Sequence, residues 1–174
     1  LCEALLKTVL DAAPKAIADP NDYAARADLM WAGMLAHNNS CGIGRAQDWA
    51  SHQIEHELSA FYDCAHGAGL AVITPRWMRH TLNEKTAPRF AQYGVRVWGL
   101  DAKADIMETA RKAIDRTAEF FMSLGLPSRL SEMGVTDEHF EAMAEHVLKH
   151  WFPLETAFTP LDKAAVIAIL NASL

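Results

Sequence analysis

Three histidines fall within one short stretch, HQIEHELSAFYDCAH, at positions 52, 56 and 66. On a helix, residues four apart share a face, with Cβ atoms about 5–6 Å apart. His52 and His56 can therefore address one point in space, and His66 can return to that point if the chain turns near Gly67. Imidazole is the commonest nitrogen ligand of Zn²⁺ and Fe²⁺. Glycines beside His66 would let backbone approach an ion or cofactor closely. The competing reading is a set of solvated or interface histidines. His146 and His150 repeat the spacing, but beside Glu141, Glu145 and Lys149 they read as a solvated helix face. Asp48 extends the pattern to Asp-x3-His-x3-His, yet it follows a glycine-bearing loop at the start of a helical pattern. Aspartate there is a favoured helix cap, and the cap is the preferred reading.

Other chemistries find no support in the residues. HExxH and Glu-x-x-His are both missing, which argues against a zinc-protease helix and a di-iron carboxylate bundle. No GxGxxG, P-loop or GxSxG motif occurs, so no glycine-rich loop of this chain holds a nucleotide. The net charge of −6 and the lack of a basic cluster argue against nucleic acid and anionic membrane as partners. The apolar runs fall far short of a membrane span, and no secretory leader is visible. Cys2, Cys41 and Cys64 are sparse, odd in number and without CxxC spacing, which reads as reduced and cytoplasmic.

The elements that must position the histidines read as helices throughout. At 51% hydrophobic, the chain has enough apolar residues for one all-α domain over 1–174. Leu1, Leu5, Leu6, Val9, Leu10 and Ala13 form a stripe at three-and-four spacing. Asp19-Pro20 reads as the cap and first turn of a helix through Leu35, and 38–44 breaks it. Asp48 opens the helix of His52 and His56; His66–Gly69 reads as a junction into a second apolar helix, which Thr74-Pro75 interrupts or kinks. Further helices are expected over 85–97, 101–124, 136–149 and 160–170, with Gly125 and Pro127 as a stop signal.

The stretch from Asp48 to His80, DWASHQIEHELSAFYDCAHGAGLAVITPRWMRH, resembles the C-terminal helical domain of iron-containing (group III) alcohol dehydrogenases. The likeness is strongest to the NADP-dependent butanol dehydrogenase and aldehyde reductase branch. DYAARADLMWAGMLA, TAPRFAQYGVRVWG and FFMSLGLPSRLSEMG extend it over essentially the whole chain. The resemblance implies that His52 and His66 are metal ligands for Fe²⁺ or Zn²⁺. It also implies that His56 sits beside the metal, near nicotinamide or substrate. It further implies an N-terminal α/β domain that binds NAD(P), and an Asp and a His four residues apart on an upstream helix that complete the ligand set. Small alcohols and aldehydes would be the substrates, and a homodimer the common assembly.

LCEALLKTVLDAAPKAI begins inside a helical repeat, at Leu1, so the chain reads as cut just after that upstream helix. By itself it is expected to bind metal weakly and to lack dehydrogenase activity. A non-catalytic helical binding or interaction module, and a free-standing histidine metal-binding protein, are the alternatives.

Overall fold

A computed structural model describes residues 1–174, and it contains helices and turns without a strand. The all-α expectation holds. Eight α-helices follow one another: α1 (Cys2–Ala18), α2 (Tyr23–His37), α3 (Ala50–Tyr62), α4 (His66–Thr81), α5 (Ala87–Trp98), α6 (Ile106–Ser123), α7 (Phe140–Val147) and α8 (Lys163–Asn171). Short 3₁₀ turns at Leu130–Met133, Asp137–His139 and Leu154–Thr156 fill the links around α7. No helix is long and apolar enough to cross a membrane.

Several boundaries differ from expectation for identifiable reasons. Asp22, not Asp19, caps α2: its carboxylate accepts from the Ala25 N–H at 3.0 Å, three residues on. Asp19 instead accepts from Asn21 N and holds a turn around Pro20. His66 and its glycines are not a junction, because α4 starts at His66 itself and runs to Thr81 without a break at Pro75. A proline costs a helix one N–H and some crowding, and here the buried Pro75 ring is kept within the helix. The chain reversal falls earlier, at Asp63, whose φ of 52° is left-handed and closes α3. Aspartate tolerates that conformation better than most residues.

The residues gather into two compact units, Leu1–Gln47 with Pro88–Arg116, and Asp48–Ala87 with Thr117–Leu174. In the first, α1 packs on α2, and the buried residues of those helices are alanines: Ala12, Ala13, Ala25 and Ala32. Side chains this small permit a close helix pair. In α5, a Cβ at Gly94 would lie 3.0 Å from both Ala113 Cβ and Leu100 Cδ1, so only glycine fits there without displacement.

The second unit contains all three histidines of the opening stretch. Its core joins α3, α4, α7 and α8 through Ile54, Leu58, Ile73, Met143, Ile169 and Leu170, each essentially without solvent exposure. Polar ties pin the rim. Gln53 donates to the Phe152 carbonyl at 2.9 Å and accepts from its N–H at 3.0 Å. The Leu130 N–H donates to the Ser173 carbonyl at 2.7 Å, and Tyr62 Oη donates to Thr136 O at 3.0 Å. Because the inner edge of α3 is locked into this core, its outer edge presents histidines in a fixed register. Leu58→Ala is predicted to cost about 2–5 kcal/mol in denaturant unfolding; a loss under about 1 kcal/mol would contradict the core assignment.

Candidate metal centre

Helix α3 carries His52 and His56 one turn apart, and the reversal at Asp63 returns His66 to the same place. The ring centroids of His52 and His66 are 5.5 Å apart, and those of His56 and His66 are 5.1 Å apart. Trp49 sets its edge against the His52 ring at 5.0 Å between centroids, flanking that side of the cluster. His52 is half-buried, whereas His56 and His66 are exposed. The rings of His52 and His56 thus each lie near that of His66.

Glu55 is a member of the cluster that the spacing argument passed over. Its side chain has no solvent exposure, and its Oε2 contacts Nδ1 of His66. Ser59 Oγ lies 2.7 Å from Glu55 Oε1 and 3.0 Å from the Cys64 carbonyl, so its single proton serves two acceptors. The ligand-capable atoms of Glu55, His56 and His66 all lie within 4.8 Å of one another. The signal was present in the sequence: a residue three after His52 lies on the same helix face. Gly69 on α4 makes the room, since a Cβ there would stand 2.5 Å from Glu55 Oε1.

Cys64 sits beside this cluster, its carbonyl accepting from Ser59. Burial pushes its thiol pKa up, and the carboxylates of Glu55 and Asp63 push it further.

Of the other histidine pair, His146 is exposed as expected, whereas His150 is only 25% exposed, and both reach one carboxylate. His146 Nδ1 lies 3.1 Å from Glu57 Oε2, and His150 Nε2 lies 2.7 Å from Glu57 Oε1. Glu57 is 5% exposed, so these two rings are its polar partners within the fold. The expectation fails for His150 alone, because α7 ends at Val147 and His150 lies beyond it, reaching back to Glu57 on α3. Asp48 acts near the helix start, as preferred, although Trp49 occupies the cap position itself. Its Oδ1 accepts from Ala50 N at 2.8 Å and its Oδ2 from Phe158 N at 2.6 Å.

An open face of imidazoles backed by a buried carboxylate is a donor set that suits a borderline divalent cation. Comparison with known proteins gives the family. A sequence model of the Fe-containing alcohol dehydrogenase family, C-terminal, matches residues 1–174. This chain belongs to the iron-containing alcohol dehydrogenase family. It is 41% identical to the NADH-dependent butanol dehydrogenase A of Clostridium acetobutylicum, over 99% of this chain and 44% of that protein. To the NADPH-dependent aldehyde reductase YqhD of Escherichia coli it is 35% identical, over 85% of this chain and 38% of that protein. The crystal structure of E. coli YqhD superposes with a TM-score of 0.90 at 31% identity, covering 99% of this chain and 44% of that one. A butanol dehydrogenase A structure from Thermotoga maritima gives a TM-score of 0.88 at 30% identity, covering 98% and 44%. The chain spans less than half the length of each of these relatives.

Gly69 offers a direct check of the site geometry. Glycine inside a helix normally costs up to about 1 kcal/mol relative to alanine, so an open site would gain from Gly69→Ala. Here the new methyl meets a carboxylate that has no exposed place to swing to. Thermal or denaturant unfolding should show a loss of about 1–3 kcal/mol; stabilisation by the substitution would contradict the packing of Glu55 against α4.

Proposed function

We propose that this chain forms the metal- and substrate-side helical part of an NAD(P)-dependent alcohol dehydrogenase acting on small alcohols and aldehydes. His52 and His66 are its two contributions to the coordination of Fe²⁺ or Zn²⁺. The observation that carries the reading is the convergence of the imidazoles, at 5.5 Å and 5.1 Å between ring centroids, in a chain matched from end to end by the family. When bound, such a cation supplies Lewis-acid polarisation of an alcohol or carbonyl oxygen.

The chain's own residues define what surrounds that chemistry. His52, half-buried against Trp49, and His66, at the start of α4, each offer a ring nitrogen from a rigid helical element. A rigid mount suits a ligand, because precise placement is what a metal site demands. His56 is exposed on the same face, 5.1 Å from His66 between centroids, and bonds to neither neighbouring carboxylate. It is the ring placed to exchange protons between substrate oxygen and solvent, the work of a general acid or base. Binding of the NAD(P) phosphates belongs to residues outside this chain, in keeping with the lack of a phosphate-cradling loop in it, while His56 stays on the nicotinamide side of the metal. The remaining metal ligands, an Asp and a His four residues apart in the family pattern, are likewise assigned upstream.

The test uses the full-length protein that carries this chain. Against a chromophoric chelator, His52→Ala and His66→Ala should each weaken Zn²⁺ binding by roughly 100-fold or more. His56→Ala should keep its metal and lower kcat for aldehyde reduction by roughly 100-fold. Unchanged metal affinity in His66→Ala would remove the reading. Metal bound through both histidines, with no alcohol or aldehyde turnover, would favour a non-catalytic binding module instead.

A further inference from the structure

We propose that Glu55 is the positioning residue for His66: its buried carboxylate holds the Nδ1 proton and leaves Nε2 as the nitrogen that faces a divalent cation. The inference rests on the reading of His66 as a ligand and adds a residue to it. Three observations carry it.

The first is exposure. The Glu55 side chain is 0% exposed and that of His66 is 46% exposed, although their polar atoms touch. A carboxylate shut away from water must find donors within the protein. The groups that reach Glu55 are the Ser59 hydroxyl, at 2.7 Å, and Nδ1 of His66, which meets the carboxylate's need only when it carries the proton. A neutral imidazole carries one N–H, so a proton fixed on Nδ1 leaves the Nε2 lone pair bare.

The second is order along the line of approach. Glu55 lies behind His66, on the buried side, and both of its oxygens are engaged by Ser59 and His66. A cation arriving at the exposed face meets His56 and His66 first. The closeness of Glu55, His56 and His66 atoms, all within 4.8 Å, thus describes a ligand with its orienting carboxylate rather than three equivalent ligands. A ligating histidine whose second nitrogen donates to a carboxylate is held in one tautomer and one ring orientation, and gains basicity.

The third is the space built for it. Glu55 occupies a position that exists only because residue 69 is glycine, with a would-be Cβ 2.5 Å from Oε1. The carboxylate is therefore confined between α3 and α4, at the first turn of the helix that carries His66. Glu57, two residues on, is buried too, but its oxygens face His146 and His150.

The experiment combines a tautomer measurement with metal affinity in the full-length protein. Ring ¹⁵N shifts of His66 in the metal-free wild type should report the Nδ1–H tautomer, and Glu55→Gln should convert this to a mixture. Zn²⁺ affinity of Glu55→Gln should fall 10- to 100-fold. An Nε2–H tautomer in the wild type overturns the proposal, and that measurement holds even if the variant fails to fold. Wild-type Zn²⁺ affinity in Glu55→Gln, alongside its loss in His66→Ala, overturns the role of Glu55 alone. Unchanged affinity in His66→Ala instead overturns the ligand reading beneath it.

Discussion

The site depends on one packing constraint, the close return of α4 onto α3 immediately after the reversal at Asp63. A link of Asp63 to Ala65 leaves no freedom in where His66 emerges, because both helices are bound into the same apolar core. The left-handed Asp63 turns the chain, and Gly69 lets the first turn of α4 close over the Glu55 carboxylate. His66 then faces His52 and His56 from across the gap. Lengthening that link or widening the α3–α4 contact would separate the imidazoles without touching any of them.

Helix α3 carries buried carboxylates on two sides, and they do different work. Glu57 pairs with His146 and His150 and so fastens the end of α7 to the core helix. Glu55 has one histidine partner, and that histidine has two further imidazoles beside it. The contrast explains why equal spacing in sequence carries different chemistry. His146 and His150 both turn to one buried carboxylate, whereas His52 and His56 each lie near His66.

Much of this was legible in the residues. The helical period gave the fold class, because apolar residues at three-and-four spacing recur from Leu1 to Leu170. The i, i+4 rule placed His52 and His56 together, and the resemblance placed His66 with them. What spacing could not deliver were features that depend on contact between separate elements. Asp22 displaced Asp19 as a cap because the cap belongs to whichever carboxylate reaches the N–H three residues on, and Pro20 held Asp19 in a turn. His150 read as solvated because nothing local shows that α7 ends at Val147 and turns back. Glu55 was on the right face all along, but its burial is set by α4 rather than by its own helix.

The most direct measurement of the central claim is anomalous scattering from crystals of the full-length protein loaded with Zn²⁺ or Fe²⁺. The account predicts one peak about 2.0–2.2 Å from a nitrogen of His52 and from Nε2 of His66, with the Glu55 carboxylate on the far side of the His66 ring. A peak ligated by Glu55 in place of His52, or one remote from both histidines, would contradict it.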